Sequence, residues 1–260
     1  MANYDVLGNI AIFKFPESTK KEEKLRTAQE FAKMHPKIKT ILEKTDKVRG
    51  RLRTIKTRHL FGEKNLIADY RESGCSFKFN VETCYFSPRL SNERLQVARM
   101  IKNKSKVLIM FAGAGPFVIV ASKFSKPAKI VSVEFGKECC MYAKQNLLKN
   151  KIYSGVEVIQ GDVKKIIPEI AKTKEKFDVI LMPRPNLKET FLKEGLMAAK
   201  KGTLIVYYGF SPESEKDKMT LNLVKEAKKL KRKIKILRVL EAGDIAPYEH
   251  RYRIEIKVGN

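Results

Sequence analysis

The chain has 260 residues, enough to bury one large core or two smaller ones, and its 54 basic residues against 29 acidic give a formal charge of +25 that calls for a polyanionic partner such as nucleic acid. Three scattered histidines argue against a histidine-based triad or metal cluster. Cys75, Cys84, Cys139 and Cys140 lack C-x-x-C spacing and read as reduced, buried thiols of a cytoplasmic protein. The N-terminus has no signal-peptide layout, and no apolar run reaches the ~20 residues of a spanning helix, so no membrane is expected.

In chain order, residues 6–15 read as a strand pair. Thr19-x-x-Glu22 has the form of a capping box and opens a helix through Met34. Short extended segments follow around 40–42, 51–58, 66–70 and 76–81, which makes residues 1–83 a compact α+β domain. From Asn92 the pattern becomes regular. A helix through Ile101 leads into strands near 106–111, 129–134, 156–160, 177–182 and 202–208, each separated by a helical stretch. A helix over 216–232 precedes final strands at 233–240 and 250–258. Strands alternating with helices predict an α/β domain over 84–260, with a parallel sheet covered on both faces and an antiparallel closing pair.

The chemistry begins at 107–122, V-L-I-M-F-A-G-A-G-P-F-V-I-V-A-S, where a buried strand is broken by Gly113, Ala114, Gly115 and Pro116. Glycines let backbone approach a ligand closely, and Pro116 suits the first position of a helix whose N-terminus attracts negative charge. Many α/β domains need such a turn for packing alone. The next strand, however, ends on Glu134, where nucleotide-binding sheets place an acid on ribose hydroxyls, and the one after runs into Gly161-Asp162. A glycine turn, an acid, then Gly-Asp at successive strand ends is the layout of an S-adenosylmethionine-dependent methyltransferase.

The segment V-E-T-C-Y-F-S-P-R-L-S-N-E-R-L-Q-V over 81–97 is more specific. With F-A-G-A-G-P-F, the opening Y-D-V-L-G-N-I-A-I, M-H-P-K-I-K-T and E-S-G-C-S-F-K, it resembles the archaeal and eukaryotic tRNA (guanine-37) N1-methyltransferases along nearly the whole chain. The resemblance implies a Rossmann-like class I methyltransferase sheet behind a small RNA-side domain, with the chain beginning where its relatives' second domain begins. S-adenosylmethionine is the implied cofactor and tRNA the partner; the protein is expected to act as a monomer without a metal.

The resemblance also implies roles. Glu93 matches the general base that takes the proton from guanine N1, although an acid there also complements the dipole of its helix. Arg53, in R-G-R-L-R-T, aligns with an arginine that stabilises charge on guanine O6. Arg51, Arg53 and Arg58 read equally as solvated or phosphate-binding side chains, and the register is open by two residues. Tyr85 and Phe86 wall the donor side, Phe111, Ala112, Gly113 and Gly115 cradle its methionine part, Glu134 holds the ribose and Asp162 the adenine edge. Arg89 belongs with these donor-side residues, contacts the tRNA backbone, or pairs with an acid at the helix start.

Two positions depart from the family. An acid usual before M-F-A-G is Ile109 here, which removes an anchor for the donor's ammonium group. Where many relatives read N-L-P after the fourth strand, this chain has Pro183 and Arg184, and proline offers no side-chain amide. Some archaeal members of the family with an M-P-x-P segment also methylate a ring carbon of the tricyclic wyosine precursor, and the resemblance therefore implies a place for Pro183 among the catalytic-site residues. Two other functions fit less well. One is the related aminocarboxypropyl transfer, against which the intact F-S-P-R-L argues. The other is a non-catalytic tRNA-binding protein, against which the glycine turn, Glu134 and Asp162 argue.

Overall fold

The computed structural model describes residues 3–46, 54–184, 187, 189–246 and 248–259. They divide into two compact units, Met1–Pro88 and Arg89–Asn260.

In the first unit, β1 (Asn3–Leu7) and β2 (Ile10–Lys14) form the expected hairpin. Helix α1 (Lys21–Met34) carries the chain to β3 (Thr40–Lys44), parallel to β2, and β4 (Thr57–Gly62) adds antiparallel to β3. The sheet order is β1-β2-β3-β4. Phe31 of α1 meets Phe13 of β2 edge to face at 5.0 Å, and Lys24 reaches Glu43 of β3 at 2.7 Å. A separate hairpin joins β5 (Ile67–Glu72) to β6 (Cys75–Asn80).

The capping box does not form. Helix α1 is capped at Lys20 with no side-chain bond, because a turn with the Thr19 N–H donating to the Pro16 carbonyl places that threonine one residue too early. Glu22 and Glu23 in the first turn still complement the helix dipole. Within the extended stretch predicted over 51–58, residues 51–53, and Arg53 with them, lie outside the described residues; strand structure begins in earnest at Thr57.

The second unit opens with α2 (Ser91–Met100) and then alternates: β7 (Lys106–Met110), α3 (Pro116–Ser125), β8 (Lys129–Glu134), α4 (Lys137–Lys149), β9 (Val156–Gln160), α5 (Val163–Lys172), β10 (Phe177–Met182), α6 (Leu192–Ala198) and β11 (Ala199–Ser211). Helix α7 (Lys216–Lys229) and the long hairpin β12 (Ile234–Ala246) and β13 (Glu249–Val258) complete it. The seven strands lie in the order β12-β13-β11-β10-β7-β8-β9, parallel except for β13, which is antiparallel to both neighbours. This is the doubly wound sheet the sequence predicts, with the last strand inserted between the fifth and sixth. The central strands are apolar on both faces because helices cover both: Leu108, Met110, Val131, Ile180, Met182 and Ile205 pack as one buried cluster on one face, and Val107, Ile109, Ile130 and Leu181 are fully buried on the other. Two strands outrun their predicted limits. β11 extends because it pairs with β13 as far as Ser211 and His250, and β12 extends through bulges after Glu241 that interrupt its alternation. The four cysteines are free thiols and buried, as expected.

Candidate active site

At the end of β7 the chain leaves the sheet through three left-handed residues: Phe111 at φ 61°, Gly113 at 57° and Gly115 at 86°. The last is the N-cap of α3, and Pro116 follows it inside the helix. Phe111 has a Cβ, so this conformation costs it roughly 1–2 kcal/mol. Its ring packs edge to face on Phe191, 4.9 Å away, itself left-handed at φ 57°. A Cβ added at Gly115 would make only ordinary contact, 3.4 Å from the Ala143 Cβ of α4, so its left-handed φ and not close packing is what calls for glycine there. The fully buried Asn146 of α4 donates from Nδ2 to the Ala114 carbonyl at 3.0 Å and fixes the turn from behind.

Glu134 joins this turn to the next two strand ends. Its Oε2 accepts from the Gly113 N–H and its Oε1 from the Gly136 N–H, both at 2.7 Å, while its carbonyl accepts from Gly161 N–H at 2.8 Å. Burial raises the Glu134 pKa, and the N–H groups of Gly136, Gly113 and Phe135 pull it the other way. Asp162, next along, caps α5 by accepting from the Lys164 N–H at 3.0 Å. The Glu134 carboxylate and carbonyl therefore tie the glycine turn at Gly113 to the strand end at Gly161, the residue before Asp162.

Glu93 lies in the first turn of α2, where two distant strands reach it. The Tyr208 hydroxyl of β11 donates to Oε1 at 2.7 Å, and Arg253 Nη1 of β13 donates to both oxygens at 3.0 Å and to Gln96 Oε1 at 3.2 Å. Burial, with the Glu93 carboxylate next in importance, drives the Tyr208 pKa well above the ordinary phenol value, so Tyr208 stays a donor. The Tyr208 ring also packs against Phe117 in the first turn of α3, at 5.9 Å, which ties the Glu93 cluster to the glycine turn. Neither Tyr208 nor Arg253 was signalled by the sequence, since both sit in strands without motif residues.

Pro183, half-buried, follows β10 directly. The next residue, Arg184, folds inward: its guanidinium lies 5.2 Å from the Tyr207 ring and 5.4 Å from that of Phe210, and Nη1 donates to the carbonyls of Leu187 and Glu189 at 3.0 and 3.1 Å. Arg184, the residue after Pro183, is thus tied to Leu187 and Glu189. Ile109 is fully buried in β7, in register with Ser132 and Leu181, where an ionised side chain would need a partner.

Tyr85 and Phe86 belong to the first unit, where Phe86 stacks on Phe79 at 4.5 Å and anchors to the β5–β6 hairpin. Arg89, exposed, stands in a 3-10 turn, Pro88–Leu90, ahead of α2. Arg58, read from the sequence as a solvated or phosphate-binding side chain, pairs with Glu43 at 3.7 Å. Among the described residues the group able to hold a metal ion is Glu241, Asp244 and His250 on β12 and β13, with none of the predicted site residues in it. No helix among them is long and apolar enough to cross a membrane.

Residues 68–237 match the TRM5/TYW2 methyltransferase domain and residues 1–65 the TYW2 N-terminal domain. The chain is 31% identical, over 98% of its length and 74% of the relative's, to tRNA (guanine(37)-N(1))-methyltransferase Trm5b of Pyrococcus abyssi. It is also 31% identical to tRNA (guanine(37)-N(1))/4-demethylwyosine(37)-methyltransferase Taw22 of Nanoarchaeum equitans, over 98% of this chain and 99% of that one. The crystal structure of Pyrococcus abyssi Trm5b superposes with a TM-score of 0.87 at 30% identity, covering 99% of this chain and 75% of the other.

Proposed function

This chain belongs to the TRM5/TYW2 methyltransferase family, and from that premise we propose that it methylates N1 of guanosine 37 in tRNA and also carbon 7 of the tricyclic 4-demethylwyosine made from the same nucleotide. The observation that carries the double activity is the likeness to Taw22, a protein named for both methylations and matched over 99% of its length. Pro183 in place of the family's asparagine supports it. An amide facing the tricyclic base would lack the exocyclic amine it bonds in guanine, at a cost of roughly 1–3 kcal/mol if buried.

S-adenosylmethionine supplies, when bound, an electrophilic methyl group on a sulfonium. The residues present suit it: three left-handed residues at the strand end, the Glu134 carboxylate for ribose hydroxyls and Asp162 for the adenine edge. The Glu93 carboxylate takes the N1 proton of guanine, which frees the N1 lone pair to attack the methyl carbon. Arg53 offsets the charge that builds on O6. The excess of 25 positive charges draws the tRNA backbone, so affinity should fall steeply with salt. The free, buried thiols fit work in the cytoplasm.

The deciding experiment is mass spectrometry of nucleosides after incubation with S-adenosylmethionine and tRNA carrying either guanosine or 4-demethylwyosine at position 37. One added methyl on each base is the expected result. Methylation of guanosine alone would remove the second activity, and an aminocarboxypropyl adduct would assign the chain to the reaction of its other relatives.

A further inference from the structure

The carboxylate given the role of base is not held by a simple ion pair. Strand β13 alternates R-Y-R-I-E-I from Arg251, and its charged side chains are buried: Arg253 is 5% and Glu255 6% exposed. Arg253 directs Nη1 at both oxygens of Glu93 at 3.0 Å, while its Nε, buried and making no hydrogen bond, stands at ion-pair distance, 3.3 Å, from Glu255 Oε1. One guanidinium therefore serves two carboxylates. The other groups facing this cluster are Tyr208 from β11, Gln96 from α2, and Arg251 from β13, whose charge is felt at Tyr208.

From this geometry we propose that Glu255, acting through Arg253, is a positioning residue that sets how readily Glu93 accepts the proton of guanine N1. The inference rests on the reading of Glu93 as the base. A carboxylate with exclusive claim on a buried arginine is a poor base, since protonating it would strand the cation. Here the cation keeps Glu255 when Glu93 becomes neutral, so the proton moves from N1 to Glu93 without leaving an unpaired buried charge. The Tyr208 hydroxyl can donate to Glu93 in either protonation state and keeps it aimed.

The test is the pH dependence of single-turnover guanosine methylation on tRNA, measured on the full chain for wild type, Glu93→Gln, Glu255→Gln, Arg253→Met and Arg253→Lys. Glu255→Gln keeps the shape but gives Arg253 wholly to Glu93. The acid limb of its profile should move down by about one pH unit and the plateau should fall roughly threefold, with KM for tRNA and donor unchanged. Arg253→Met removes the cation and should move the limb up by about one unit or more, with Arg253→Lys restoring part of the shift. If Arg253→Met fails to fold, the nearly isosteric Glu255→Gln carries the test. A limb that stays in place for Glu255→Gln, whatever its plateau, overturns the inference, because a merely structural role lowers the rate equally at every pH. A separate result overturns the underlying reading instead: Glu93→Gln within about tenfold of the wild-type rate would mean Glu93 is not the base.

Discussion

Glu93 and Glu134 are both largely buried carboxylates of the second unit, and they are held in opposite ways. Glu134 is gripped by backbone N–H groups of turns beside it, and among the described residues no cation pairs with it. Glu93 is gripped by side chains, a phenol and a guanidinium 115 and 160 residues away. Backbone dipoles do not titrate and cannot be substituted, so Glu134 is suited to a fixed task such as holding hydroxyls. A carboxylate among titratable and ionic side chains has an affinity for protons that those neighbours can adjust, which suits a group that must gain and lose one.

Exchanging each acid for its amide tests that contrast most severely. Glu93→Gln should lower single-turnover guanosine methylation by roughly 10²–10⁴ while donor and tRNA affinities stay near wild type. Glu134→Gln should do the reverse. Its amide must point a donor at one of two N–H groups, and an unmade buried bond of about 1–3 kcal/mol weakens donor binding roughly five- to hundredfold, with little change in rate at saturating donor. Titration calorimetry with S-adenosylmethionine separates the two. Equal losses of affinity in both variants would erase the distinction between a base and a cofactor anchor.

Pro183, proposed to lie against the target base, sharpens the comparison from another side. Pro183→Asn should favour guanosine over the tricyclic base by roughly five- to hundredfold, since the new amide finds a partner on one and none on the other. Parallel assay of the two products on matched tRNAs reads that ratio. Arg184 bonds Leu187 and Glu189 in the same loop, so the loop should keep its course in this variant. A parallel fall in both products would show that proline only shapes the backbone.

The same contrast explains what could be read from the sequence. The glycine turn, Glu134 and Gly161-Asp162 were legible because their bonds are local and their spacing follows from a strand meeting a helix. The order of strands and helices was legible for the same reason. The partners of Glu93 were not. The last two strands read only as an antiparallel closing pair, whereas β13 lies between β11 and β12 with Arg251, Arg253 and Glu255 buried. The left-handed Phe111 and Phe191 were also hidden, because nothing in a phenylalanine announces a positive φ that tertiary packing imposes. The tie from Arg184 to Leu187 and Glu189 escaped too: an arginine after a strand reads as solvent-facing until two aromatic rings and two carbonyls are placed around it.

A third carboxylate combines both modes of holding, and it gives the smallest predicted effect. Asp178, at the start of β10, accepts from the Lys106 N–H of β7 at 2.8 Å and pairs with Lys200 of β11 at 2.7 Å, but 38% of its side chain is exposed. The Lys200 bond, then the Lys106 N–H, lowers its pKa. A carboxyl group with a depressed folded pKa contributes stability that is complete above the unfolded value of about 3.9 and lost as pH falls through the folded one. Solvent screening limits that contribution to about 0.5 kcal/mol. Asp178→Asn should therefore lower the urea midpoint slightly at pH 7, the difference from wild type should shrink toward pH 3, and methylation should be unchanged. A difference that stays constant over this range would mean that the exposed bond from the Lys106 N–H to the Asp178 side chain, and not the charge, is what Asp178 contributes.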